Sequence, residues 1–375
     1  MATNLVEVKN KKQLRSFIYL PEKLHRNHEN WVHPIYMDEW NYFNAKKNNA
    51  FNYSDTIMLL AEQNGHLVGR VMGIINRRYN EVRGESTARF GYLESIEDQD
   101  VVHALLSRVE DWAKEKGMTR IIGPYGFSDQ DPEGFLIKGF EYRATIATYH
   151  NFPWLPPMVE REGYTKDMDY FVYKIQVPDE IPEIYRRISE RIMKKGNFEL
   201  LEFKNRREIK PWVRPILSLM NETYIESNIY GYAPLDEKEM DALAKKYLPI
   251  LDPRLIKGVL KDGQVVAFII GIPDMSAGIK KARGRLFPFG FIHILRAKSK
   301  TKQLDLLLGA IKKEYRGVGL DALMGMAMIA SAQKAGFKII DTHHEMEANV
   351  KVRAEMERMG GVVYKIFRVY QKPLV

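Results

Sequence analysis

The chain has 375 residues, 45% of them hydrophobic and 28% charged, which is the composition of a folded globular protein and excludes a disordered one. Lys and Arg number 57 against 48 Asp and Glu, a net charge of +9 that suits an anionic ligand without selecting one. Cysteine is absent, which excludes a disulfide framework, a thiolate nucleophile, a thiolate zinc site and an Fe–S cluster.

In chain order, residues 5–8 read as a short strand and 11–24 as a helix. Residues 57–62 and 66–75 flank Asn64-Gly65, a strong two-residue hairpin signal, and 88–94 is a further strand. Val101, Leu105, Val109 and Trp112 recur at helical spacing over 100–116, and Gly117 stands where a helix stop belongs. A strand over 120–123, the run 157–162 and a strand over 170–177 close the first half. Pro178 and Pro182 then flank an acidic turn. The second half repeats this order. It has a strand at 198–204, helices at 207–227 and 236–247, and a hairpin of 255–260 and 264–272 about Asp262-Gly263. A strand at 304–311, a helix at 320–335 stopping at Gly336, a strand at 338–341, a helix at 348–359 and a strand at 363–371 follow.

Residues 116–122 line up with 334–340, and 158–163 with 356–361. Two matches in the same order favour a duplicated unit over chance alternation of helices and strands. The expected division is 1–178 and 179–375. Neither a signal peptide nor an apolar run near the roughly 20 residues of a membrane span is evident. A cytoplasmic protein without a membrane partner is therefore expected. The basic runs 280–283 and 296–302 read as solvated loops. No helix-turn-helix, aromatic-on-sheet or zinc pattern accompanies them, so no nucleic-acid partner is expected. Met324, Met326 and Met328 read as a buried helix face.

Chemistry concentrates in Lys312-Lys313-Glu314-Tyr315-Arg316-Gly317-Val318-Gly319-Leu320, which follows an apolar strand and opens a helix. Glycines there let backbone N–H groups turn toward one point. The helix N-terminus adds partial positive charge, which makes an anion site suited to a pyrophosphate. Lys312, Lys313 and Arg316 would add full charges.

Here the chain resembles the GCN5-related N-acetyltransferase (GNAT) superfamily, whose Arg/Gln-x-x-Gly-x-Gly/Ala signature wraps the pyrophosphate of an acyl-coenzyme A. Arg316-Gly317-Val318-Gly319-Leu320-Asp321 fits its Arg and its first Gly, while Asp321 stands at the last Gly/Ala position. Downstream, Asn349 and Gly360 keep the family's spacing, but Met356 stands where many members have a proton-donating Tyr. The resemblance implies an α/β (α+β) chain of two tandem GNAT-like domains, each a mixed, mostly antiparallel sheet flanked by helices. It implies acetyl-CoA or another acyl-CoA as donor. The contacting residues would be Ile311, Lys312, Lys313, Arg316, Gly317, Val318, Gly319, Leu320 and Asn349. It also implies an oxyanion contact from strand backbone near Ala310–Ile311. The corresponding first-half loop, 95–100, holds three acids and no glycine, and should repel a pyrophosphate.

Thr342-His343-His344-Glu345-Met346-Glu347 is the densest titratable cluster in the sequence. It reads as a solvated loop, as acceptor-site chemistry or as a metal site, although adjacent strand residues point to opposite faces and the two His would not converge easily. His343 and Glu345 are the candidate acid–base groups, and no metal is expected. The loop 228–234 carries Tyr230 and Tyr232, either of which could contact substrate or supply the proton that Met356 cannot, and Tyr232 is taken as the catalytic candidate. The stretch 284–290 and the Gly/Asp-rich loop 123–129 are candidate cleft walls. The function expected from the resemblance is transfer of an acyl group from acyl-CoA to an unidentified amine. Two alternatives stay open: a non-catalytic binding protein retaining the fold, and an aminoacyl-tRNA-dependent transferase of the peptidoglycan-bridge kind. A homodimer is a further open option.

Overall fold

A computed structural model describes residues 2–374. The first half runs β1 (Asn4–Glu7), α1 (Lys11–Leu24), α2 (Tyr36–Tyr42), β2 (Ser54–Gln63), β3 (His66–Asn76), α3 (Arg77–Arg83) and β4 (Thr87–Ser95). It continues with α4 (Gln99–Glu115), β5 (Arg120–Gly123), β6 (Phe135–Lys138), α5 (Leu155–Arg161) and β7 (Thr165–Gln176). The second half opens on α6 (Glu183–Lys195), then β8 (Phe198–Glu202), α7 (Arg206–Ile209), α8 (Val213–Glu226), α9 (Glu237–Tyr247), β9 (Ile256–Lys261) and β10 (Gln264–Pro273). After α10 (Ser276–Lys281) and α11 (Gly290–Lys300) come β11 (Gln303–Ile311), α12 (Leu320–Ala335), β12 (Ile339–Asp341), β13 (Glu345–Met346), α13 (Val350–Arg358) and β14 (Val362–Pro373).

Local chemistry fixes most of these boundaries. Asn64-Gly65 and Asp262-Gly263 both adopt positive φ, 50° and 76° in the first pair and 51° and 76° in the second, so each closes a tight hairpin whose twist matches its strands. Asn10 with Gln13 and Asp236 with Glu239 form capping boxes that start α1 and α9. Helix α4 buries Val101, Leu105, Val109 and Trp112 on one stripe, as their spacing implies. Each such burial stabilises the fold by about 1.5–3 kcal/mol.

All fourteen strands form one sheet in the order β1-β2-β3-β4-β5-β14-β7-β12-β11-β10-β9-β8, with β6 pairing β14 and β13 pairing β7. Among the described residues only β4–β5 and β11–β12 run parallel. They occupy matching places in the two halves. The last strand of each half crosses over. β14 completes the first half's strands beside β5, and β7 completes the second half's beside β12. The two exchanged strands pair antiparallel at the centre, from Val362↔Lys174 to Gln371↔Thr165.

Several elements depart from the sequence-based expectation. Residues 296–300, expected in a solvated loop, form the last turns of α11. Helix α6 was not expected at all. Its Ile188 and Ile192 pack with Leu320, Leu323 and Met324 of α12. Met356 packs against the cluster of Ile175, Phe337 and Ile340.

Candidate active site

The parallel strands β11 and β12 pair over only Gln303↔Ile339, Leu304↔Ile340 and Asp305↔Asp341. Beyond Asp305 they diverge, and 306–311 keeps a neighbour only in β10. Within that open stretch Leu306 faces Gly271 and Leu308 faces Ile270, so Leu307 is a bulged residue with no partner. A bulge re-aims backbone polar groups out of the ladder. Ile311 and Ala310, by contrast, pair normally with Ala267 and Phe268.

The open strand leads into the glycine loop. Gly317 and Gly319 take φ of 78° and 102°, and α12 starts at Leu320 with no side-chain cap. Among the described residues, no protein group accepts a hydrogen bond from the backbone N–H of any residue from 317 to 322. Six consecutive free donors at a helix N-terminus form an anion cradle. The neighbouring cations face the end of α8. Lys312 Nζ lies 3.7 Å from Glu222, Lys313 Nζ lies 3.2 Å from Glu226, and Arg316 Nη2 donates to Ser227 Oγ at 2.8 Å. The residues therefore fit a pyrophosphate, which would draw Lys313 and Arg316 away from Glu226. Asp321 is exposed on the first turn of α12. Asn349 precedes α13 and makes no side-chain cap.

The first half closes the same places. After Arg89↔Ile122 the β4–β5 gap is occupied by the fully buried Tyr125, whose N–H donates to Phe90 O at 2.8 Å. The β4 bulge at Tyr92, with φ of 56°, has its N–H satisfied by the Tyr149 hydroxyl at 3.1 Å. The N-terminus of α4 is capped by its own Asp98.

Titratable groups from both halves converge beside the open gap. The Glu345 carboxyl is pushed up to about 8 by burial alone and has no side-chain partner among the described residues. Glu133, between the Gly/Asp-rich loop and β6, is also pushed up to about 8 by burial, but it accepts from Tyr170 OH at 3.1 Å and lies 3.5 Å from His344 Nδ1. Asp129 is raised well above the usual range by burial, then by Glu133 and Asp131. Burial pushes His343 and His344 down to about 3, so both stay neutral, stacked at 5.1 Å between ring centres. Tyr224 of α8 reaches the open strand, with its OH 3.5 Å from Gly309 O, and feels the charges of Asp129 and Glu345. Beneath these groups, at the point where the strands part, Asp305 and Asp341 are buried near the buried Lys365, which donates to Arg143 O.

Residues 311–320 are thus contiguous with the open strand, while His343 follows β12 and Glu345 pairs with Phe171 of β7. Tyr232 is 1% exposed, gives its hydroxyl to Asn221 and stands 5.2 Å from the Tyr224 ring. Tyr224 and Glu133 had no sequence signal of their own, while Asp129 lies in the loop 123–129 read as a candidate cleft wall. Asp129 and Glu133 reach the site only because the two halves pack together, whereas Tyr224 belongs to the same half as the open strand.

No protein-family model matches the chain. It is 29% identical over 378 residues to a bacterial ceramide synthase of Caulobacter vibrioides, across 99% of this chain and 97% of that protein. It is 25% identical to protein YghO of Escherichia coli, across 97% of this chain and 94% of that one. Among solved structures, a tandem GNAT protein from the clavulanic acid biosynthesis pathway superposes with a TM-score of 0.52 at 10% identity, covering 100% of this chain and 99% of its own.

Proposed function

We infer, from the tandem GNAT-like fold of this chain, that it is an acyl-coenzyme A-dependent N-acyltransferase, with the donor held by the second half alone. The observation that carries this reading is the difference between matching places. The second half leaves a strand edge and six N–H groups free, where the first half fills the gap with Tyr125 and caps its helix with Asp98. We assign the acceptor to long-chain amino lipids. Support comes from the relative named as a bacterial ceramide synthase, since a ceramide is the amide of a long-chain amino alcohol.

In this reading the N–H groups of 317–322, with Lys313 and Arg316, hold the diphosphate of the donor, which supplies an activated thioester. The open edge of β11 orients the acyl group. Glu345, as carboxylate, takes a proton from the substrate ammonium and frees the lone pair that attacks the thioester carbon. Backbone N–H around the Leu307 bulge meets the developing oxyanion. Tyr224 protonates the departing thiolate and regains its proton from Glu345; the second proton that the nitrogen sheds as the amide forms goes to Glu345 and from it to solvent, so the site ends as it began. Glu345 is favoured over Glu133 because the latter is already engaged by Tyr170 and His344. It is favoured over His343 because that ring is held neutral down to about pH 3.

Incubation with palmitoyl-CoA and sphinganine tests the reading. A protein without cysteine adds no thiol of its own, so a thiol-reactive dye reports released coenzyme A directly. Thiol release that requires the amine, with a matching amide in the mass spectrum, is expected. Thiol release without amide, or none with any long-chain amine, would contradict it.

A further inference from the structure

The connection between β3 and β4 spans residues 77–86, whereas the matching connection between β10 and β11 spans 274–302 and carries α10 and α11. The two helices meet backbone to side chain at Gly278, where a Cβ would lie 2.6 Å from His293 O and 2.8 Å from Ala297 Cβ. The unit is anchored on the first half. Arg285 pairs with Glu22 at 2.8 Å and Gly284 O accepts from Tyr36 N–H at 3.0 Å.

Its outward side is apolar. Phe287 is 74% exposed, Phe289 68%, Leu295 59% and Phe291 42%, and these are all the exposed phenylalanines among the described residues. Phe291 and Leu295 share one helix face, and the Phe287 ring lies 6.4 Å from that of Phe291. The charge around them has one sign. Residues 275–304 hold eight Lys and Arg and no Asp or Glu. Lys281, Arg283, Arg296 and Lys300 are exposed, and none has an ion pair among the described residues. A cluster of exposed aromatic rings is costly in water unless something covers it. Rings that project from a basic platform match an interface with apolar depth and anionic headgroups. Nucleic acid would match the charge but not the rings, and a second copy of a chain carrying +9 would match the rings but not the charge.

We propose that the surface of Phe287, Phe289, Phe291 and Leu295 with Lys281, Arg283, Arg296 and Lys300 docks the protein peripherally on an anionic lipid bilayer. No helix among the described residues is long and apolar enough to cross a membrane. The lack of a spanning run, from which no membrane partner was expected, says nothing about a surface of this kind. The inference does not rest on the catalytic reading, because vesicle binding is measured without either substrate.

Co-sedimentation of the full chain with phosphatidylcholine vesicles, with and without 30% phosphatidylglycerol, tests it. Binding is expected to the anionic vesicles and to fall with salt. The variant Phe287→Ser/Phe289→Ser/Phe291→Ser should bind at least tenfold more weakly while melting at the wild-type temperature, since these rings pack against little. The variant Lys281→Glu/Arg283→Glu/Arg296→Glu/Lys300→Glu should lose the preference for phosphatidylglycerol. Three outcomes would overturn the proposal: wild-type protein that stays with neither vesicle, a triple variant that binds as wild type does, or a wild-type dimer that the triple variant abolishes without any vesicle binding.

Discussion

Glu345→Gln is expected to lower kcat by roughly 10²- to 10⁴-fold, the usual contribution of a positioned general base, and to leave the affinity for the acyl donor unchanged. The substitution keeps the shape of the side chain and removes only its ability to take a proton. Burial alone raises this carboxyl to about 8, so the wild-type enzyme should gain kcat/KM with rising pH, about tenfold per unit below pH 8, and level off above it. That rising limb should be missing from the residual activity of the variant. Stability moves the other way and separates a chemical from a structural loss. A carboxyl raised in the folded state contributes fully below its unfolded value of 4.5, and the contribution disappears as pH climbs through about 8. The Gln variant escapes that loss, so at pH 9 it should melt no lower than wild type. Wild-type activity in the variant, or an unchanged pH limb, would remove Glu345 from the mechanism.

Separation of the halves should abolish folding altogether. The fragments 1–178 and 179–375 each carry the strand that the other needs. Without β14, the first fragment loses the buried Phe367, Val369 and Tyr370 from its core along with the ladder to β5. Without β7, the second loses the buried Ile175 and the ladder to β12. Burying each of these side chains contributes about 1.5–3 kcal/mol, and a typical domain has only about 5–15 kcal/mol of net stability. Each fragment alone should therefore lack a cooperative melt followed by circular dichroism, and an equimolar mixture refolded together should regain one. A fragment that melts cooperatively by itself would show that the exchanged strand is dispensable.

Much of this fold is legible from local chemistry. Asn64-Gly65 and Asp262-Gly263 announce hairpins because their backbones accept positive φ, and the α4 stripe announces its own buried face. The glycine loop is legible for the same reason, since Gly317 and Gly319 both need left-handed φ. What is not legible depends on distant pairing. No feature within β7 or β14 says that each will lie beside the other half's strands. Tyr224 and Glu133 are ordinary residues until packing sets Tyr224 within electrostatic reach of Asp129 and Glu345, and Glu133 beside His344. Helix α6 is an intermediate case. Ile184, Ile188 and Ile192 recur every four residues, a stripe that reads as helical once the prolines before it are taken as a boundary and not as a linker. The outward phenylalanines of 287–291 hide α11 because they lie on the side opposite to its packing.

Gly319 is a poor place to test the donor site, although the resemblance draws attention to it. A Cβ there would lie 2.8 Å from Ile188 Cγ2 and Ile192 Cδ1, so any side chain disturbs α6 as well as the loop. Val318 is exposed between the two glycines and offers a cleaner probe. A carboxylate about 4 Å from a phosphate is opposed by up to about 4 kcal/mol near a protein surface, and half of that is roughly a 30-fold change. The decisive measurement is calorimetric titration of an acyl-CoA into wild-type protein, Val318→Glu and Asp98→Ala. One equivalent should bind to wild type and to Asp98→Ala with equal affinity, and binding to Val318→Glu should be at least 30-fold weaker. Two equivalents, loss of binding in Asp98→Ala, or undiminished binding in Val318→Glu would contradict a single donor site in the second half.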